Sequence, residues 1–329
     1  MAKHELWELK QMQALPLSIK LRMTQQRIRD WINEFGTDGV YVSFSGGKDS
    51  TVLLHIVRDM YPDIEAVLVN TGLEYPEIQK FVKTFDNVTI LRPKMRFDEV
   101  IKEYGYPLIS KHVAQCLHEF RRNPNSNKKK WDANGEYGKG SRYSLQKWIP
   151  MRECDIPVSN MCCTVMKKNP AKEFEKQTGK HPILATMADE SMLRTTAWLQ
   201  NGCNAFDVKR PNSTPMSFWT EQDVLQYIKE NNIDIASVYG EVKLENGKFS
   251  TTGCNRTGCI FCAFGCHLEK EPSRFQRLKE THPKQYEYCI GGGGYDEDGI
   301  WKPNKQGLGM GHVFNELNKI YGDGFIKYK

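Results

Sequence analysis

The sequence predicts an α/β fold, a parallel sheet with helices on both faces, followed by a cysteine-rich C-terminal region. Three observations carry that expectation. Strand-like and helix-like segments alternate with short links between residues 39 and 92. A polar loop, Ser45-Gly46-Gly47-Lys48-Asp49-Ser50, stands at the first strand-to-helix turn. The ten cysteines are crowded unevenly, three within 154–163 and four within 254–266.

The elements follow in order. Leu21, Ile28, Trp31 and Ile32 repeat at helical spacing and predict a helix over 19–35 that ends at Gly36. Residues 39–44 read as a short buried strand, 51–60 as a helix with Val52, Leu53, Ile56 and Val57 inward, and 64–70 as a second strand. A helix over 76–85 and a strand over 87–92 complete the run. Alternation of this kind favours a parallel sheet with right-handed crossovers. Beyond residue 97 the pattern loosens. Residues 98–104 read as helix, and the polar, basic stretch 121–130 as a solvated insertion or a phosphate-contacting patch. Regular structure resumes with a helix near Asn169, a strand over 182–186 and a helix after Asp189-Glu190-Ser191. A further helix over 220–231 has Thr220 as N-cap and Asp223 at the capping-box position. The glycine-rich end, from Gly291, carries no clear pattern. The domains expected are an N-terminal helical segment (1–37), a nucleotide-binding α/β domain (38–235) with an insertion at about 105–150, and a cysteine-rich region (236–329).

The 329 residues carry 46 basic and 40 acidic side chains, a net +6 that permits contact with nucleotides or nucleic acid without demanding it. No window approaches the ~18 consecutive apolar residues of a membrane helix, and the N-terminus has charges throughout, so a cytoplasmic, non-membrane protein is expected. In a reducing compartment, crowded cysteines point to metal or redox chemistry rather than disulfides.

In the loop, glycines allow the backbone to approach a ligand closely, and successive amides at a helix start form an anion cradle. Ser45 and Ser50 add hydroxyl donors and Lys48 a charge. Asp49 opposes phosphate unless it holds a metal or the loop itself. The pattern is neither a Walker A loop nor G-x-G-x-x-G.

Ser45–Ser50 resembles the pyrophosphate loop of the adenine nucleotide alpha-hydrolase (PP-loop) superfamily, which includes ATP pyrophosphatases, tRNA thiolases and sulfonucleotide reductases. Residues 69–77, Val-Asn-Thr-Gly-Leu-Glu-Tyr-Pro-Glu, resemble a strand-end segment of the phosphoadenosine phosphosulfate (PAPS) reductase family, with Asn70 where Asp is usual. Residues 185–194 partly resemble the substrate-contacting turn of the same enzymes. The resemblance implies that Ser45, Gly46, Gly47, Lys48, Asp49, Ser50, Thr71, Gly72 and Glu74 bind ATP or another adenine nucleotide. It gives Lys48, Asp49 and Arg194 catalytic roles, with Mg2+ as companion. Arg194 suits bidentate pairing with phosphate or sulfate and, equally, a structural salt bridge.

Cys259-x-x-Cys262 alone fits zinc, an iron–sulfur cluster or a redox dithiol. Together with adjacent Cys162-Cys163, followed by Lys167, Lys168 and Pro170, it resembles the motif of the iron–sulfur sulfonucleotide reductases. That resemblance makes Cys162, Cys163, Cys259 and Cys262 the ligands of a [4Fe-4S] cluster. A rival set built on Cys254, Cys259 and Cys262, or a local site closed by Cys266, stays open. Cys116, Cys203 and Cys289 look isolated. The reductases' Glu-Cys-Gly-Leu-His tail has no counterpart here.

The expected function is therefore an ATP-dependent, adenylating sulfur transferase, with a sulfur donor and a nucleic acid as one acceptor. A sulfonucleotide reductase using Cys289 or the thiol of a reductant protein is the alternative, and a non-catalytic nucleotide sensor is a third.

Overall fold

In the computed structural model the central sheet has six strands in the spatial order 88–91, 66–69, 40–43, 181–183, 212–213 and 204–205. Val40–Ser43 pairs in parallel with both Ala66–Val69 and His181–Ile183. Only the edge strand Asn204–Ala205 runs antiparallel, against Asn212–Ser213, so the sheet is mostly, not wholly, parallel. The structure describes residues 3–329 apart from 133, 135, 136, 138–140 and 142, and these seven fall inside the expected insertion.

The inner strands are short apolar runs because both faces are covered. Val40, Val42 and Ala66 are fully buried. From Val40–Ser43 the chain moves outward through two strands, then returns to the other side of the first. The order therefore reverses between 40–43 and 181–183, and in open α/β sheets ligands bind beyond the strand ends at such a reversal.

The chain divides into two compact units, which differ from the three domains expected. One comprises 1–70, 74–92 and 170–258; the other comprises 71–73, 93–169 and 259–329. The first unit holds the sheet and also the N-terminal helices Leu6–Ala14 and Leu17–Phe35. The 1–37 segment is not separate, because buried Lys20 donates to Asp223 Oδ2 at 2.7 Å and the Trp219 indole donates to Thr24 Oγ1 at 2.8 Å. Asp223 closes the capping box of the helix Glu221–Glu230 with Thr220, as the sequence indicated.

The second unit corrects the view of 105–150 as an insertion in the α/β domain. Leu108–Ile109 pairs in parallel with Ala263–Phe264, and the Tyr106 hydroxyl donates to Leu308 O at 2.8 Å. Tyr106, Leu108 and Leu117 are buried. These apolar side chains share a core with the C-terminal region, which is why the segment folds with it. Part of the basic stretch is helical, within Lys111–Arg122 and Lys128–Trp131. The C-terminal end contains the helix Met310–Tyr321, whose buried Val313, Phe314 and Leu317 supplied a periodic signal that the surrounding glycines obscured.

Candidate nucleotide site and cysteine quartet

The phosphate loop lies in the first unit, between Val40–Ser43 and the helix Lys48–Met60. Gly46 adopts φ +70°, and a Cβ there would stand 2.7 Å from Val82 Cγ2 and 2.9 Å from Ile78 Cγ2. Both the backbone angle and the packing demand glycine. The serines brace the turn. Ser45 N donates to Ser50 Oγ at 3.1 Å, Gly47 N donates to Ser45 Oγ at 3.3 Å, and Ser50 Oγ donates to Gly47 O at 2.9 Å. The Lys48 amide donates to the Tyr239 hydroxyl at 3.3 Å. The amides of Asp49 and Ser50, in the first helical turn, have no acceptor among the described residues. Unpaired N–H groups at a helix start favour an anion.

Lys48 is held by several partners. Its side chain is buried and its ammonium donates to Asn255 O at 3.0 Å, lies 3.1 Å from Glu221 Oε1 and 3.7 Å from Asp49 Oδ1. It latches residue 255 to the loop rather than presenting a free charge. Tyr239 does the same at Thr257, with their hydroxyls 3.0 Å apart. Asp49 Oδ1 is buried and has no hydrogen-bond partner among the described residues. Burial pushes the Asp49 carboxyl up, while Lys48 and Arg256 pull it down less strongly.

Arg194 sits one turn into the helix Met192–Asn201, capped by Ser191. It pairs with Glu190, and Arg256 reaches the same carboxylate, NH2 to Oε1 at 3.0 Å. Burial lowers the Arg194 pKa, Arg256 lowers it further, and Asp49 raises it. Arg194, Arg256, Lys48, Asp49, Glu190 and Glu221 thus form one ionic group around the loop. Sequence reasoning had no role for Arg256, Glu221 or Tyr239. Arg256 stood in plain view between Cys254 and Cys259, but only the folded chain turns it toward Glu190.

The expected nucleotide contacts Thr71, Gly72 and Glu74 span the boundary between the two units. Thr71 and Gly72 belong to the second unit and Glu74 to the first. Thr71 Oγ1 accepts from Leu73 N at 3.2 Å, and Leu73 O accepts from Ile260 N at 2.8 Å. That stretch therefore supports the Cys259–Cys262 segment.

The four cysteines expected as ligands all lie in the second unit. Cys162 and Cys163 stand in the short helix Met161–Cys163, which continues into a π-helical turn, Thr164–Lys168. Such turns are frequent at functional sites. The neighbouring Cys163 thiol and burial push Cys162 up, with Cys262 and Cys259 adding to this; Cys162, Lys111, Lys167 and Lys168 pull Cys163 down. Burial pushes Cys259 and Cys262 up; Lys167 opposes this at Cys259, and Arg274 at Cys262. Arg274 NH1 donates to Cys262 O at 2.8 Å, and the guanidinium is held by Glu269 at 2.6 Å. Among the described residues, no three His, Cys, Asp or Glu side chains converge tightly enough for a single ion. The four thiols nonetheless sense one another electrostatically.

The rival ligands fare differently. Cys254 belongs to the first unit, where its amide donates to Val238 O at 2.9 Å. Cys266 is buried, and burial pushes its thiol up to about 12. Cys289 is completely buried, with its Sγ 3.4 Å from Met310 Sδ, and burial pushes that thiol well up. Cys289 is therefore poorly placed to act as a nucleophile.

Residues 39–264 match the family model of the phosphoadenosine phosphosulfate reductase domain. An uncharacterized protein of Methanocaldococcus jannaschii is 24% identical over 287 residues, covering 85% of this chain and 54% of that protein. The chain thus spans about half the length of that relative. A phosphoadenosine 5'-phosphosulfate reductase of Xanthomonas axonopodis pv. citri is 22% identical over 268 residues, covering 81% of this chain and 89% of that enzyme. Among solved structures, the phosphate complex of the PAPS reductase from Candida auris aligns with TM-score 0.38 and 13% identity, over 65% of this chain and 82% of the other. The U34-tRNA thiolase NcsA of Methanococcus maripaludis, solved with its [4Fe-4S] cluster, aligns with TM-score 0.34 and 14% identity, over 83% and 78%. No helix among the described residues is long and apolar enough to cross a membrane. With the family model covering the loop, the arginine-bearing turn and all four cysteines of the quartet, the chain belongs to the phosphoadenosine phosphosulfate reductase domain family.

Proposed function

We propose that the chain is an ATP-dependent, adenylating sulfur transferase. The observation that carries this reading is Asp49, a buried carboxylate whose Oδ1 has a 3.7 Å ion pair with Lys48 but, among the described residues, no hydrogen bond, beside amides that themselves lack acceptors. A carboxylate against phosphate is repulsive unless a cation lies between them, and nucleoside polyphosphates bring Mg2+ as that cation. Asp49 would hold the metal, which supplies charge neutralisation. The Asp49 and Ser50 amides and the Ser45 hydroxyl bind phosphate oxygens. Arg194 takes up charge that develops on the departing group.

The reaction balances without net redox change at the nucleotide. An acceptor oxygen attacks the α-phosphorus of ATP, and pyrophosphate leaves with the electron pair of the broken P–O bond. A sulfide-level sulfur from a donor then attacks the activated acceptor atom, and AMP leaves carrying the acceptor's oxygen. Cys162, Cys163, Cys259 and Cys262 would hold a [4Fe-4S] cluster, which supplies iron for handling sulfur. The lysines that act on Cys163 and Cys259 suit an anionic metal–thiolate centre. The net charge of +6 and the exposed Lys128 and Lys129 suit a nucleic acid as acceptor.

A second reading, a sulfonucleotide reductase, draws on the likeness to the Xanthomonas enzyme across most of the chain. With Cys289 buried, it requires the thiol of a reductant protein. The deciding test uses anaerobically purified protein with about four irons and four sulfides. Release of AMP and pyrophosphate from Mg·ATP that depends on sulfide and nucleic acid supports the transferase. Thiol-dependent sulfite release from PAPS, with ATP untouched, replaces it by the reductase. Nucleotide binding with neither product leaves a sensor.

A further inference from the structure

We propose that Arg256 is a ligand-contacting residue of the nucleotide site, forming with Arg194 a two-arginine clamp for a tetrahedral oxyanion of the bound nucleotide. Glu190 is the internal counter-anion that this oxyanion displaces. The inference rests on the reading of Ser45–Ser50 as a nucleotide loop and adds to it a second anion contact from a distant part of the chain.

The geometry is specific. Both guanidiniums converge on one carboxylate, Arg194 from one turn along the same chain and Arg256 from 66 residues away at 3.0 Å. The Glu190 side chain is only 13% exposed, whereas Arg194 and Arg256 are 41% and 57% exposed. The carboxylate is thus at the back and the two cations face outward, the order that lets an arriving anion meet the arginines first. Two like charges held side by side repel, and they stay together only where an anion bridges them. Arginine's fork suits phosphate or sulfate oxygens.

The segment that carries Arg256 is fixed to the loop. Lys48 Nζ donates to Asn255 O at 3.0 Å, and the Tyr239 hydroxyl, which accepts from the Lys48 amide, lies 3.0 Å from Thr257 Oγ1. Gly253 anchors the approach, because a Cβ there would lie 2.4 Å from Val238 O. Arg256 is therefore flanked on both sides by contacts to the phosphate loop. Those contacts set its place beside the loop, and Glu190 sets its direction.

The test is calorimetric titration of the full chain with Mg·ATP, PAPS, inorganic pyrophosphate and adenosine. Arg256→Gln is expected to weaken the charged nucleotide that binds by 10-fold or more and leave adenosine unchanged, with Arg256→Lys intermediate. Glu190→Gln removes the competing carboxylate and is expected to tighten pyrophosphate several-fold. A greater loss for Mg·ATP assigns the clamp to phosphate; a greater loss for PAPS assigns it to sulfate or the extra phosphate. Unchanged affinity in Arg256→Gln, or weaker pyrophosphate binding in a Glu190→Gln protein of unchanged melting temperature, overturns the clamp. Gly46→Val separates the two readings. If it abolishes binding while Arg256→Gln does not, the clamp fails and the loop stands. If the unaltered chain binds none of the charged probes, both fail.

Discussion

The nucleotide loop and the cysteine quartet differ most in their charge. Around the loop, Lys48, Arg194 and Arg256 face Asp49, Glu190 and Glu221, so the group cancels itself. Around the quartet, Lys111, Lys167 and Lys168 act on the thiols, and Arg274 is held by Glu269. A self-cancelling site accepts a polyanion best when it arrives with a cation. Lysines close to thiols favour the thiolate form, which is the form that binds metal.

The largest effect that tests this contrast is the loss of the quartet. Cys259→Ser should remove nearly all bound iron and sulfide from anaerobically purified protein while ATP affinity stays within about 3-fold. Loss of both together would mean that the two sites do not act separately. Next comes Gly46→Val, where the side chain meets Val82 and Ile78 at a left-handed angle. Nucleotide affinity should fall 100-fold or more, with a stability cost of about 1–3 kcal/mol in urea melts. Iron content should not change. Lys20→Met strands the buried Asp223 carboxylate and should cost about 3 kcal/mol, read as a lower urea midpoint by circular dichroism.

The smallest effect concerns Glu65. Burial pushes its carboxyl up, but hydrogen bonds from Lys180 at 2.7 Å and Thr89 at 2.5 Å outweigh this and hold the pKa below the usual value. A depressed carboxylate stabilises the fold above its unfolded pKa, and that contribution disappears as pH falls through the folded one. Glu65→Gln should therefore lower the melting temperature slightly at neutral pH and not at all in strong acid. A difference that persists in acid would assign the effect to packing.

Much of the fold was legible because its signals are local. The helix over 17–35, the three strands between 40 and 91 and the Thr220 cap rest on periodicity and neighbouring residues, and all appear where those signals place them. The loop was legible because six consecutive residues carry it. The division into units was not, because Tyr106, Leu108 and Leu117 look no different from the apolar residues of an α/β domain until their partners, Leu308 and Ala263, are known. Nor was the hydrogen bond between Leu73, just after the strand Ala66–Val69, and distant Ile260.

By itself, then, the sequence determined the mostly parallel α/β core and the tight glycine turn after its first strand. Each depends on residues within a few positions of one another. Only the tertiary structure decided that Lys48 latches Asn255 instead of facing outward, that Arg194 and Arg256 share Glu190, and that Cys289 is sealed in a core. Those outcomes depend on which distant segments meet, and the direction of a long charged side chain is set by the acceptors it finds there.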